Sequence, residues 1–191
     1  MKIFSEKLGQ FIFAAFTIGL PLGCCATIPM GTWVEEAPYP VSNYTVGSAT
    51  VNGSIYVFGV DGTTTISTTE IYNPTTNTWT SAPGMPTPRA VSGAAAVGTV
   101  IYVVGGQTNV AEVATVEALD TLTNTWSTAT PMPQPLERMA VVSANGYLYT
   151  LGGCLTFTCG GSDTNLVQQF DPVTQMWTVK SSMSTPGVTT R

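Results

Sequence analysis

The chain has 191 residues, of which 43% are hydrophobic and 9% are charged, and its formal net charge is −5. This hydrophobic content is enough for a packed core, so the composition excludes a disordered chain and permits one folded domain. The sequence contains no histidine, which excludes a Ser-His-Asp triad and every metal centre that depends on imidazole ligands.

The first 26 residues have the pattern of a secretory signal peptide. Lys2 and Lys7 give a basic start, an apolar stretch covers residues 8–22, and small residues follow it. An uncleaved membrane anchor is the weaker interpretation, because Pro21 interrupts the stretch and about 20 apolar residues are needed to span a bilayer. We therefore expect an exported protein, located in the periplasm, outside the cell or at the cell surface.

Two cleavage sites are compatible with this segment. Residues 20–24 resemble a bacterial lipoprotein box, and cleavage there would leave an acylated Cys24 at the new N-terminus. Cleavage after Ala26 would instead remove Cys24 and Cys25 together and leave an even number of cysteines. Attachment to a membrane is expected only if Cys24 is lipidated.

The remaining residues, 27–191, are more acidic than the whole chain. Removing Glu6, Lys2 and Lys7 reduces eleven acidic and six basic residues to ten and four, a net charge of −6. Such a chain does not attract phosphate backbones, so we expect no nucleic-acid partner.

This region repeats itself at a spacing near 47 residues. Trp79, Trp126 and Trp177 are 47 and 51 residues apart, and each lies seven residues after a Tyr, Leu or Phe that is followed by Asn or Asp. Glycines that directly follow an apolar run are 46 and 47 residues apart (Gly59, Gly105 and Gly152). A fixed period of this length indicates one supersecondary unit copied in tandem. The copies span residues 38–79, 81–126 and 128–177, and a partial fourth copy spans 181–191.

Each copy has the composition of a small β-sheet. Four short runs rich in Val, Ile, Tyr and Thr are separated by Gly, Pro, Asn and Asp, which predicts four strands joined by turns. Glycines after the second run allow positive φ angles and a close approach of the next sheet. We expect the Trp of each copy to be buried between neighbouring sheets, where it would contribute about 2–3 kcal/mol. One such sheet cannot cover its own apolar face, so the copies are expected to stack radially.

These features together resemble the kelch repeat. The resemblance rests on the Gly-Gly pair, the aromatic-Asp turn, the terminal Trp and the Pro-Thr-Pro-Arg89 segment before the first strand, and it covers about residues 31–191. It implies four-stranded blades of a β-propeller that binds ligands at one rim, through the loops between blades and those between second and third strands. The first copy departs from the pattern at Val60, where a second glycine is expected, and the third has Leu136 in place of the arginine.

The number of copies does not complete the ring that this resemblance implies. Residues 31–33 are predicted to form an isolated last strand, three copies follow, and a fourth begins near Met183, whereas propellers have about four to eight blades. Three interpretations follow: a partial reading of a longer gene, a homodimer that completes a six-bladed ring, or an open arc with exposed edges. The first interpretation is preferred because the sequence stops within a repeat and shows no capping unit, whereas terminal repeats normally carry one.

The third copy has a longer loop between its second and third strands than the other copies. This loop, residues 154–165, is equivalent to the shorter loops at residues 61–66 in the first copy and 107–112 in the second. In an exported protein Cys154 and Cys159 are expected to form a disulfide that stabilises the fold by about 2 kcal/mol. A metal site is not expected, because the sequence offers these two cysteines no further Cys or His partner. The loop, with Phe157 at its tip, is either a binding finger or a rigid connection.

Arginines at the start of first strands are the main candidates for ligand contacts. In the kelch architecture first strands line the axial channel, which implies that Arg89 and Arg138 point toward its mouth, where a guanidinium suits carboxylate recognition. The alternative is that each arginine satisfies loop carbonyls or pairs with an acidic neighbour. The residues predicted to bind ligand are Arg89, Arg138, Glu137, Gln107, Asn109 and Asp163.

No catalytic residue and no cofactor are predicted. The sequence has no Gly-x-Ser-x-Gly elbow, P-loop or dinucleotide fingerprint. We predict an exported, non-catalytic kelch-repeat protein that binds a protein or a glycan. The alternative is a sugar-modifying enzyme, since kelch-type sialic acid mutarotases work with arginine and carboxylate, a need that Arg89, Glu137 and Arg138 loosely fit. Arg89 meeting a carboxylate in an enclosed channel would favour the enzyme.

Overall fold

The computed structural model describes residues 34–41, 47–60, 67–108, 111–156, 159 and 161–187. The chain divides into two units, residues 1–35 and 36–191, and all described strands lie in the second. The predicted signal peptide, the predicted strand at residues 31–33, Asn109 and Phe157 lie outside the described residues. The described part of the chain holds no helix of the length and apolar character needed to cross a membrane.

The described residues form three antiparallel sheets of four strands each. The first sheet contains β1 (Gly47–Val51), β2 (Ser54–Val60), β3 (Ser67–Asn73) and β4 (Thr78–Ala82). The second contains β5 (Gly93–Val97), β6 (Val100–Val104), β7 (Val116–Asp120) and β8 (Thr125–Ala129). The third contains β9 (Ala140–Ala144), β10 (Tyr147–Leu151), β11 (Val167–Asp171) and β12 (Met176–Lys180). The prediction of an all-β chain with three four-stranded units is confirmed.

Each sheet extends slightly beyond its predicted copy. The Trp is the second residue of the fourth strand, which continues for three more residues, so boundaries predicted at 79–81 and 126–128 fall inside β4 and β8. Residues 181–187 of the predicted fourth copy form no strand, and they run beside the third sheet, where the Gly153 N–H donates to the Gly187 carbonyl at 2.7 Å. Residues 188–191 lie outside the described part.

The turns explain two of the sequence landmarks. Between first and second strands, Asn52 and Asn145 have φ angles of 50° and 51° and are each followed by a glycine with positive φ, the combination required by a type I′ hairpin turn. Between third and fourth strands, a carboxylate oxygen of Asp120 accepts the Leu122 N–H at 2.8 Å. Asn73 and Asp171 cap their turns in the same way. Hydrogen bonds from Thr174 and from the backbone of Val173 hold the pKa of Asp171 below its ordinary value.

Neighbouring sheets meet along their first strands and bury an apolar layer between them. Strand β5 contacts both β1 and β9. One core cluster joins the first two sheets and includes Phe58, Ile101, Val103 and Leu119. A second cluster joins the second and third sheets and includes Val104, Val116, Leu148 and Phe170.

The glycine pairs keep neighbouring sheets close, as predicted. Gly105 has a φ of 58°, and a Cβ atom there would lie 2.5 Å from the carbonyl oxygen of Leu136. A Cβ atom at Gly152 would instead collide with the carbonyl oxygen of Gly187, which lies in the segment after β12 and not in a neighbouring sheet. In the first sheet, where Val60 replaces the second glycine, β2 and β3 are both seven residues long instead of five. The strand pair therefore continues where the other two sheets turn.

The tryptophans lie at the edges of the sheet interfaces, where they are partly buried, so the expectation that they are buried between sheets is met only in part. Trp79, Trp126 and Trp177 are each partly exposed, because each lies on the fourth strand, farthest from the first strands at which the sheets meet. The Trp126 ring packs edge-on against Phe58, with ring centroids 5.8 Å apart, and its indole N–H donates to the Pro83 carbonyl at 2.8 Å. The equivalent acceptors for Trp79 and Trp177 are Ala37 and Thr130.

Candidate functional site

In the second and third sheets, the segment just before the first strand meets the loop between the second and third strands at one end of the sheet, here called the loop edge. In the third sheet, Glu137 forms an isolated bridge with Cys154, and Cys154 forms another with Asp163. In the second sheet, Ala90, Gln107 and Glu112 are bridged in the same order. The same backbone frame therefore presents different side chains in the two sheets.

The loop edge of the third sheet brings three of the predicted ligand-binding residues together. Glu137 is fully buried, and its carboxylate lies 3.4 Å from the Arg138 guanidinium, whose side chain is 13% exposed. The Arg138 backbone N–H donates to the Val91 carbonyl at 3.1 Å, which connects this edge to the second sheet. Asp163 is exposed at the far side of the Cys154 bridge. Because Asp163 is exposed and Arg138 partly so, this is the part of the predicted site that solvent reaches.

A disulfide closes the long loop at this edge, as predicted. Cys154 and Cys159 are bonded, with their Cα atoms 5.3 Å apart. Cys154 is fully buried and Cys159 partly exposed. The Arg138 guanidinium donates a hydrogen bond to the Cys159 sulfur at 2.8 Å. The disulfide and the charged groups therefore form one cluster, here called the Cys–acid cluster: Glu137, Arg138, Cys154, Cys159 and Asp163.

Arg89 lies inside the second sheet and does not point into an open site. The side chain has no exposed surface, and its ion pair is with Glu117, which is 2% exposed. Its remaining hydrogen bonds go to backbone carbonyls of Gly105, Thr87 and Val103, at 2.9, 2.9 and 3.0 Å. The interpretation that this arginine satisfies carbonyls and pairs with an acidic neighbour is the one that the structure supports.

Sequence reasoning missed the partnership between Arg89 and Glu117, although the repeats contain a signal for it. The third sheet has Leu136 where the second has Arg89, and Gln168 where the second has Glu117. Leu136 and Gln168 are both fully buried. From the second blade to the third, arginine and glutamate are thus both replaced, as expected for a buried ion pair whose charges are costly unless they balance. The first blade keeps a buried glutamate, Glu70, without an arginine in its copy, and the Ser81 hydroxyl donates to it at 2.9 Å.

The remaining predicted residues are placed as follows. Gln107 is partly buried, and its backbone exchanges hydrogen bonds with Ala90, 2.9 Å in each direction. It occupies in the second sheet the position of Cys154 in the third. Asn109 lies outside the described residues.

Comparison with known proteins identifies the repeat. A family profile for the KLHDC2/KLHL20/DRC7 Kelch-repeats domain matches residues 28–190. The chain belongs to the kelch-repeat family. Its three sheets are therefore kelch blades, and the family assignment made from glycine, tryptophan and turn residues is confirmed.

Curated relatives match part of this kelch chain. An F-box/kelch-repeat protein of Arabidopsis thaliana is 37% identical over 83 residues, which is 42% of this chain and 22% of the relative. The Kelch-like protein terF of Aspergillus terreus is 39% identical over 84 residues, 40% of this chain and 18% of the relative. The matches thus span about a fifth of the relatives' length.

Among solved structures, YjhT has the same fold. It superposes with a TM-score of 0.66 at 19% sequence identity, over 79% of this chain and 54% of the YjhT chain. This similarity confirms the propeller-type blade architecture. Kelch domains generally mediate protein–protein interactions.

Proposed function

We propose that this chain is a non-catalytic binding module that contacts a protein or glycan ligand through its loop edge, centred on the Cys–acid cluster. The observation that carries the proposal is the convergence of Glu137, Arg138 and Asp163 on one backbone frame, closed by a disulfide. Such a frame is preorganised, so little conformational entropy is lost when a ligand binds.

The exposed part of the cluster indicates which ligand groups fit. Asp163 offers an exposed carboxylate on a chain with a net charge of −5. A carboxylate accepts hydrogen bonds from N–H and O–H donors, so the ligand surface should present hydroxyls, amides or basic side chains. Both a sugar and a peptide can supply such donors.

The enzyme alternative loses support because its central arginine is inaccessible. Arg89 does meet a carboxylate, that of Glu117, but the two side chains are 0% and 2% exposed inside the sheet. A sugar substrate cannot reach a pair enclosed in this way. Mutarotation of sialic acid, followed by NMR with and without the protein, tests the alternative directly, and a rate above that of buffer would revive it.

The binding proposal is tested with unbiased ligand libraries. A glycan array and a peptide display library are screened with the oxidised protein, and the selected ligands are measured against Asp163→Ala and Arg138→Ala. We expect at least one variant to weaken binding about tenfold or more, which corresponds to about 1.4 kcal/mol.

The matched control is Val173→Ala, which changes a 91% exposed residue in the turn at the opposite end of the third sheet. It should leave the affinity unchanged. If the selected ligands bind both cluster variants with unchanged affinity but bind Val173→Ala more weakly, the binding surface lies at the opposite end of the sheet and the proposal is contradicted.

We also propose that the protein is exported, with residues 1–26 removed. The support is the signal-peptide pattern and the presence of a disulfide, which is typical of oxidising compartments. Expression of the full chain in an exporting host, followed by mass spectrometry, should show an N-terminus at Thr27 or a lipidated Cys24. Unprocessed protein retained inside the cell would contradict this.

A further inference from the structure

The Cys–acid cluster contains four side chains that are able to ligate a metal. The Cys154 sulfur lies 3.5 Å from a carboxylate oxygen of Asp163, and the Cys159 sulfur lies 3.4 Å from a carboxylate oxygen of Glu137. Ligand atoms of Glu137, Cys154 and Cys159 all lie within 4.8 Å of one another. The sequence alone showed two cysteines without further ligands, whereas the fold adds two carboxylates.

We propose that, when the disulfide is reduced, Cys154, Cys159, Glu137 and Asp163 bind one Zn²⁺ ion, so that the loop is closed either by the S–S bond or by the metal. Two thiolates and two carboxylates form a set that suits zinc, which accepts both sulfur and oxygen ligands in tetrahedral sites. This inference does not rest on the proposed ligand-binding function, although both involve Asp163 and Arg138.

Two of the sulfur–oxygen distances match those of a tetrahedral zinc site. Zinc bonds of about 2.3 Å to sulfur and 2.0 Å to oxygen, at the tetrahedral angle, place a sulfur and an oxygen ligand about 3.5 Å apart. The two observed sulfur–oxygen distances are 3.5 and 3.4 Å. On reduction, the two sulfurs need to separate only to about 3.8 Å, the distance that the same bond lengths give for two sulfur ligands.

The backbone holds three of the four ligands in place. Bridges from Glu137 to Cys154 and from Cys154 to Asp163 put these residues on adjacent extended segments. Glu137 and Cys154 are fully buried, so exchange with water would be limited once zinc is bound. Cys159 lies outside the strands, so a shift of its sulfur away from Cys154 breaks no strand pairing.

The second blade shows that this ligand set is not a general feature of the repeat. The equivalent positions there hold Ala90, Gln107 and Glu112, so the frame carries one carboxylate and no thiol. The third blade has acquired its ligands on an otherwise equivalent backbone.

Arg138 offsets the charge of the site. Two thiolates and two carboxylates sum to −4, and Zn²⁺ leaves −2. The Arg138 guanidinium, 2.8 Å from the Cys159 sulfur, adds one positive charge and donates the type of outer hydrogen bond that orients metal ligands.

The switch between the two states is a balanced two-electron reaction. A dithiol reductant breaks the Cys154–Cys159 bond and is oxidised to its own disulfide, and its two electrons and two protons give two cysteine thiols. Zinc then replaces the two thiol protons, which are released to water. In the reverse direction a small-molecule disulfide accepts two electrons and two protons, becoming two thiols, while the Cys154–Cys159 bond re-forms and the metal is released.

The test compares zinc binding by oxidised and reduced wild-type protein. The protein is reduced under argon with a water-soluble phosphine, which becomes the phosphine oxide, and is titrated with Zn²⁺ against a chromophoric chelator. We expect one Zn²⁺ per reduced chain and none per oxidised chain. Titration with Co²⁺ should give a thiolate-to-metal charge-transfer band and the visible bands of tetrahedral cobalt. Equal binding in both redox states, or none in either, would overturn the proposal.

Variants distinguish this site from adventitious binding. Asp163→Asn removes an exposed ligand with little risk to folding, and Cys159→Ser removes a thiolate; each should weaken zinc binding by about tenfold or more. Glu112→Gln, the equivalent of Asp163 in the second blade, should have no effect. Zinc binding that is unchanged by Asp163→Asn and by Cys159→Ser would show surface binding only and overturn the proposal.

Discussion

At the scale of single residues, the second and third blades fill the same two buried positions with different side chains. The second encloses the ion pair of Arg89 and Glu117. The third has Leu136 and Gln168 at the equivalent positions, with the Gln168 amide donating to the Thr150 hydroxyl at 3.4 Å. A buried ion pair and a neutral pair are often close in stability, whereas one charge without the other is costly.

Replacing Arg89 alone should therefore be far more damaging than replacing the pair. Arg89→Leu leaves the Glu117 carboxylate buried without its partner, and we expect it to lower the free energy of unfolding by about 3–5 kcal/mol. The double variant Arg89→Leu/Glu117→Gln copies the third blade and should regain most of that loss. Urea denaturation of the wild type, Arg89→Leu, Glu117→Gln and the double variant measures both changes. A double variant as unstable as the sum of the two single variants would contradict this account.

At the scale of elements, Trp79, Trp126 and Trp177 each connect the fourth strand of a blade to the segment that precedes the first strand of the same blade. The acceptor of each indole hydrogen bond lies four residues after the preceding tryptophan in sequence. The acceptor for Trp79 is Ala37, four residues after Trp33 in sequence. The acceptor for Trp126 is Pro83, four residues after Trp79, and the acceptor for Trp177 is Thr130, four residues after Trp126. Because the spacing of four residues is constant, each indole hydrogen bond joins the fourth strand of one copy to the segment that links this copy to the preceding one in sequence.

Removing the indole hydrogen bond while keeping an aromatic ring should lower the free energy of unfolding only modestly. Trp126→Phe retains most of the contact with Phe58 but loses the hydrogen bond to the Pro83 carbonyl, and we expect a loss of about 0.5–1.5 kcal/mol in unfolding free energy. Trp126→Ala also removes the ring contact and should be more damaging. Thermal or urea unfolding distinguishes the two. If Trp126→Phe were neutral and Trp126→Ala strongly destabilising, packing alone would explain this residue.

The close approach at Gly105, which follows the second strand of the second blade, can be tested against Gly98, which lies in the turn between β5 and β6 and has a similar positive φ. Gly98 and Gly105 have φ angles of 62° and 58°, but a Cβ atom would meet nothing within 4 Å at Gly98 and the Leu136 carbonyl oxygen at Gly105. Gly98→Ala should cost about 1–2 kcal/mol from backbone strain alone. Gly105→Ala should cost a further 1–3 kcal/mol, roughly, because the next blade must shift. Equal losses in unfolding free energy would contradict close packing of the blades at Gly105.

At the scale of the whole molecule, the third blade exposes apolar side chains on the face that points away from the second. Val141, Leu148 and Phe170 pack toward the second blade, so the strand alternation turns their neighbours Val142 and Tyr147 to the other face. Val142 is 44% exposed, while Ala95, its equivalent in the second blade, is 6% exposed. Such a face favours association with another sheet.

The homodimer, one of the three interpretations of the incomplete ring, would use this face to join two copies of the chain. Sedimentation velocity over a range of concentrations should show a dimer, and Val142→Lys should shift the protein toward monomer by about tenfold or more in dissociation constant. Val173→Lys, at a 91% exposed turn position, is the control and should leave the dimer intact. A wild-type protein that stays monomeric at all concentrations, or a dimer insensitive to Val142→Lys, would contradict the expectation.

The sequence alone determined the all-β class, the three copies, the kelch family and the disulfide, because these depend on signals that recur locally. Glycines, turn residues and alternating apolar residues specify the backbone conformation of a few neighbouring positions. Because the same pattern recurs at one period, it is easier to recognise in the sequence. Only the tertiary structure decided that Arg89 is enclosed by Glu117, that the tryptophans lie at the blade edges, and that Glu137 and Asp163 flank the two cysteines. These contacts join residues far apart in the chain, so they depend on strand register and on the stacking of blades, which no single segment specifies.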